Sequence, residues 1–161
     1  MSKEIERVFL LAKNVDIKSI IVGAEKQVQT TAYLNEPGLK MRRVRVENGV
    51  YVYCEKVYDL DSPTTRDENE RASCQEEFDE LIMEGATYIH NARYFVKIGK
   101  GLVAEVDVFE DNLSGNGFVK IDVEFKAQKE SDAFVPPSWF GKEITGTPSE
   151  RHREAHLKGQ K

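Results

Sequence analysis

The sequence predicts a mainly β protein of the α+β class, eight strands with a few peripheral helices, in one domain over residues 1–161. Three observations predict it. Apolar and polar residues alternate with a period of two through most of the chain, as strands with two unlike faces require. Two tight-turn signals, Asn48-Gly49 and Gly99-Lys100-Gly101, join such runs. A length of 161 residues, 40% of them hydrophobic, suits a single core.

Taken in order, the strands are 4–11, 28–34, 39–47, 50–57, 66–71, 88–98, 101–109 and 118–126. The fifth, RDENER, has the poorest strand propensity. Residues 74–84 predict a helix, with Phe78, Leu81 and Ile82 on one face and Ser73 with Glu76 as a capping box. Shorter helices are expected at 128–134 and 149–158, an ordered turn at 135–148, a loop at 58–65 and a frayed tail over 154–161.

Composition excludes several classes. A net charge of −5 is a poor match to a general nucleic-acid binder, whose partner is a polyanion. No apolar run approaches membrane-spanning length, and MSKEIERVFLL lacks a secretory profile, so a cytoplasmic protein is expected. Cys54 and Cys74 show neither metal spacing nor a disulfide framework.

The charges on the strands are segregated by sign. Glu4 and Glu6 share a face, as do Arg43 with Arg45, Glu105 with Asp107, and Asp122 with Glu124. A solvated sheet alternates charged and apolar residues as a matter of course. Rows of one sign point further, because paired carboxylates suit a hard cation such as Mg²⁺ or Mn²⁺ and rows of Arg and Lys suit phosphate. Closing such a sheet dry would leave buried ions uncompensated, so a closed version must be wet or filled by ligand.

The motifs then resemble the CYTH, or triphosphate tunnel metalloenzyme, superfamily. Glu4-Ile5-Glu6-Arg7 is similar to its opening ExExK, Tyr33-Leu34 to the end of its QGYL strand, and Arg43-Val44-Arg45 to its RxR strand. Lys56 matches T(L/I)K, Arg66 to Glu70 match RxExE, Arg93-Tyr94 match KxRY, and Glu105 to Phe109 match ExDxF. Asp122-Val123-Glu124-Phe125 resembles ExEF, and residues 136–145 resemble P-x-W-(F/L)-G-x-E-(V/I)-T. The resemblance implies a closed eight-stranded antiparallel barrel with a charged tunnel that hydrolyses a triphosphate with Mg²⁺ or Mn²⁺. It implies that Glu4, Glu6 and Glu124 hold metal with Asp122 in support, and that Tyr33 belongs to the catalytic set. Arg43, Arg45, Lys56, Arg93 and Arg66 would bind phosphate, and Glu68, Glu70, Glu105 and Asp107 would line the tunnel. Monomer and homodimer are both open, and the partner is a small-molecule triphosphate.

The chain departs from the pattern at two cations, since Val8 stands for the lysine of ExExK and Asn91 for that of KxRY. Ser149-Glu150-Arg151-His152 also replaces Tyr-x-Asn near the end. Binding of nucleotide or polyphosphate without turnover is therefore the alternative to hydrolysis, with a class IV adenylate cyclase the minor one. His152 and His156 read as a solvent-facing helix, His90 as structural, Trp139 and Phe140 as core at the barrel base, and Cys54 as a buried inert thiol.

Overall fold

The alternation gives every strand two faces, and the sheet curls until one of them is enclosed. In the computed structural model, which describes residues 2–38, 40–59, 61–109 and 118–147, the strands are β1 (Ser2–Leu11), β2 (Glu25–Glu36), β3 (Lys40–Glu47), β4 (Val50–Tyr58), β5 (Thr65–Ala72), β6 (Thr87–Gly99), β7 (Leu102–Phe109), β8 (Phe118–Phe125) and β9 (Phe140–Glu143). The helices are α1 (Ile17–Ile21), α2 (Gln75–Met83) and α3 (Gln128–Ala133). The order β5-β4-β3-β2-β6-β7-β8-β1, antiparallel throughout, closes through β1–β5 pairing. Closure removes the open edges that a sheet otherwise exposes. All eight expected strands are present. The Asn48-Gly49 turn takes positive φ at both residues, 50° and 77°, as a two-residue hairpin of this kind needs.

The sequence did not signal β9. Along one edge of β1, residues Ser2–Ile5 pair with β5, while Phe9 and Leu11 pair with β9. Between them, Glu6 N–H donates to Thr64 O and Val8 N–H to Thr145 Oγ1. The segment expected as a turn thus completes an edge that β5 leaves unpaired. Gly141 is needed there, because a Cβ would lie 2.6 Å from the Leu11 carbonyl oxygen.

The dry core lies outside the barrel wall. Outward residues of β1, β7 and β8 (Phe9, Val106, Ile121, Val123, Phe125) are buried beneath Phe140, Phe134 and Trp139, with α1 packed alongside through Ile17 and Ile21. Trp139 and Phe140 therefore cover the wall and do not sit at the barrel base. A smaller outer cluster joins Ala32 and Val44 to Phe78 and Leu81 of α2. Ile82, expected on that face, is 36% exposed. The capping box does not form: Cys74 is the N-cap, and Ser73 Oγ donates to Glu77. The expected 149–158 helix, both C-terminal histidines, the Ser149–His152 departure and the frayed tail lie outside the described residues.

Inside, one end of the barrel is filled by Tyr33, Met41, Ile89 and Phe109, each at most 4% exposed, with Leu10 and Tyr58 beside them. This apolar floor confines the charged residues to the other part of the interior.

Candidate functional site

Above the floor lies a cavity of about 190 Å³ with an almost wholly charged lining. The parity of each strand places these groups. Glu4 and Glu6 come from β1, Arg43 and Arg45 from β3, and Lys56 from β4. Glu68 and Glu70 come from β5, Arg93 from β6, Glu105 from β7, and Lys120, Asp122 and Glu124 from β8. At the end away from the floor, the lining residues Glu105 and Glu124 also border a surface pocket with Lys100 and Lys126, and Arg45 and Glu70 border another with Asn48.

Three carboxylates converge. Ligand oxygens of Glu4, Glu6 and Glu124 lie within 4.8 Å of one another, and Glu6 faces Glu124 directly across the β1–β8 ladder. Like charges so close resist ionising together. The Glu124 carboxyl is pushed up to about 8, first by partial burial and then by Glu105, Glu4 and Glu6. Burial also raises Glu4, against the pull of Lys56. Three hard oxygen donors crowded in this way fit a divalent cation such as Mg²⁺ or Mn²⁺. A second group, Cys54 with Glu68 and Glu70, is also close enough to share an ion.

The cations are held by these acids. Lys56 Nζ lies 2.7 Å from Glu4 and 3.5 Å from Glu68. Arg93 donates twice to Asp107, at 2.8 and 3.0 Å, and once to Glu105 at 3.0 Å. Burial works against Asp107 ionising, but Arg93 outweighs it and holds the carboxyl below its usual range. Burial likewise opposes the charge on Lys56, and Glu6 and Glu4 overcome it, raising the ammonium above its ordinary value. Arg45 lies 4.0 Å from Glu47.

The structure brings most of the expected residues together and displaces a few. Arg66 does not line the cavity; it is 1% exposed and donates to Glu6 at 2.8 Å and to the Pro63 carbonyl. Asp107 stands outside the lining, bonded to Arg93. Asp122 lines the cavity but is bonded to Lys120 at 3.1 Å and is outside the converging triad. Tyr33 belongs to the apolar floor, on its cavity side. Val8 and Asn91 point inward, wholly buried, in the step above the floor residues Leu10 and Ile89, and Asn91 donates to Gln29. His90 shares a hydrogen bond with Thr30, and Cys54 is buried. Lys120 is the charged lining residue that sequence reasoning missed, although it shares parity with Asp122 and Glu124; the uncharged Met41 and Tyr58 were not expected there either.

No family model matches the chain. The inorganic triphosphatase of Nitrosomonas europaea is 39% identical over 57 residues, 35% of this chain and 36% of that protein, so the match spans about a third of the curated relative. The crystal structure of an inorganic triphosphatase is similar over 98% of this chain and 96% of that one, with 28% identity and a TM-score of 0.61. A Hippeastrum protein with a dominant triphosphatase activity is 14% identical over 80% of this chain and 82% of its own, with a TM-score of 0.56, which speaks to fold alone.

Proposed function

The chain belongs to the CYTH, or triphosphate tunnel, superfamily, and from that premise we propose that it hydrolyses a triphosphate with the help of a divalent metal, inorganic tripolyphosphate first among substrates. The observation that carries this is the convergence of Glu4, Glu6 and Glu124 in one cavity with Arg43, Arg45, Lys56 and Arg93. A metal ion bound by the three carboxylates would neutralise charge and activate water. Arg43, Arg45 and Arg93 would grip phosphate oxygens through their planar forks, and Lys56 as a compact charge.

Lys56 links the two halves of the site. It is the partner of Glu4, so drawing Glu4 into metal coordination leaves the ammonium to pair with phosphate. Metal and phosphate should then strengthen each other's binding by the same factor. Inorganic substrate is favoured because the two aromatic rings in the lining, Tyr33 and Tyr58, lie at the floor, leaving charged groups along the walls. The same reading makes the protein cytoplasmic, with Cys54 and Cys74 free as a reducing compartment keeps them, and takes Mg²⁺ or Mn²⁺ as the metal. A second reading, binding without turnover, is favoured by the neutral Val8 and Asn91 beside the floor.

Phosphate release from tripolyphosphate, ATP and thiamine triphosphate, with Mg²⁺ or Mn²⁺, tests the proposal. Tripolyphosphate should turn over fastest. Glu6→Gln should slow it by at least the ~10- to 100-fold that loss of a mere supporting group costs a metal site. Absence of turnover with every substrate, at concentrations where Glu6→Gln is also silent, rejects hydrolysis; calorimetric binding in the same samples would then select the second reading. Cyclic AMP and pyrophosphate from ATP would indicate a cyclase.

A further inference from the structure

We propose that Lys120 is a further phosphate-binding residue of this cavity, placed to meet the phosphate that enters deepest. The inference rests on the proposed use of the cavity for polyphosphate, and it adds a residue that the motif resemblance does not supply.

Position carries the argument. On β8, Glu124, Asp122 and Lys120 follow one another down the inner face towards the floor. Glu124 stands opposite Glu6 in the carboxylate triad, whereas Lys120 stands opposite Leu10, a floor residue. On β1 the charged groups stop at Glu6, opposite Glu124, and give way to Val8 opposite Asp122 and Leu10 opposite Lys120. Lys120 thus extends the charged lining to the floor beside β1, whose inward residues at that level are neutral. Its side chain is 8% exposed and lines the cavity.

Charge supports the same assignment. Lys120 is opposite Asp107 on β7, and Asp107 is opposite Arg93 on β6, so two cations flank one fully buried carboxylate. Val8 faces Asp122 across the β1–β8 ladder without a charge, and the cation beside Asp122 is Lys120, at 3.1 Å. A chain of phosphates reaching from the triad to the floor would lie between metal-binding acids at one end and this ammonium at the other. Ammonium groups bind phosphate as point charges and need no planar match.

The test is calorimetric titration of the full-length protein with tripolyphosphate in the presence of Mg²⁺, with KM and kcat measured alongside. Lys120→Gln should weaken binding by about ten- to a hundredfold, as loss of one charge-assisted contact does, and raise KM. Lys120→Arg should stay within a few-fold of wild type. A counter-ion for Asp122 and nothing more would show as a lowered melting temperature with unchanged affinity, and that overturns the proposal, as does Lys120→Arg failing as badly as Lys120→Gln. If Lys120→Gln proves too unstable, Lys120→Gln/Asp122→Asn removes the buried pair together, and wild-type affinity in that variant is equally fatal. Wild-type protein that binds but does not hydrolyse removes the proposed activity and leaves Lys120 testable; wild-type protein that does not bind overturns both.

Discussion

The two faces of β8 do opposite work. Outward, Val119, Ile121, Val123 and Phe125 sit in a dry cluster; inward, Lys120, Asp122 and Glu124 line a charged cavity. Every second residue of one strand stabilises, and the residues between them carry ions whose desolvation costs more than isolated pairs return. The contrast teaches that stability and chemistry are separated by the thickness of a single wall. Substitutions on the inner face should disturb function out of proportion to packing, and those on the outer face the reverse.

The largest expected effect breaks that separation. Arg66 belongs to the inner face, yet it is buried against Glu6 and lies 5.0 Å from the Tyr58 ring centroid. Arg66→Met leaves the Glu6 carboxylate buried without this partner and should cost about 3–5 kcal/mol, read from urea unfolding. Adding Glu6→Gln should return part of that stability while leaving the protein without turnover. Next comes the outer wall. Phe140 packs edge-on to Phe9 at 5.0 Å and to Trp139 at 4.5 Å, and Phe140→Ala should cost about 3 kcal/mol, with kcat of the folded fraction unchanged at low temperature.

The smallest effect sharpens the comparison through pH. Glu124 is raised in the folded protein to about 8, above the ordinary carboxylate value of about 4.3. The folded chain therefore binds more protons than the unfolded chain across that window, and its stability falls as pH rises from about 4.3 to 8. Metal-free protein should show a declining melting temperature from pH 5 to pH 8, and Glu124→Gln should flatten it. The step is small, because Glu124 is exposed at the cavity mouth and solvent screens it. Mg²⁺ should oppose the decline and release protons on binding.

Much of this was legible in the sequence. Parity sorted Glu4, Glu6, Arg43, Arg45, Lys56, Arg93 and Glu105 onto the polar faces of their strands, because a strand offers only two. Closure was not legible from alternation, since an open sheet with one wet face reads identically; it came from the motif resemblance. β9 was missed because FGKE follows two prolines and is too short for a period of its own, and its partner is an edge that only the fold vacates. The pairing of Arg66 with Glu6 was equally hidden, being set by the register between β1 and β5. Lys120 was within reach by parity, but an acidic reading of its strand passed over it.

The apolar floor also dictates an order of traffic. Tyr33, Met41, Ile89 and Phe109 close the described part of the barrel at one end, so the entrance at Glu105, Glu124, Arg45 and Glu70 serves as the exit too. If the cavity takes polyphosphate as proposed, a linear anion would back out the way it came, and the fragment lodged nearest Lys120 would leave last. Under the proposed activity, accumulated orthophosphate and pyrophosphate would occupy the same corridor as incoming tripolyphosphate and inhibit competitively. Under the same proposal, a floor that stays closed would let a long polyphosphate be shortened only from its tip.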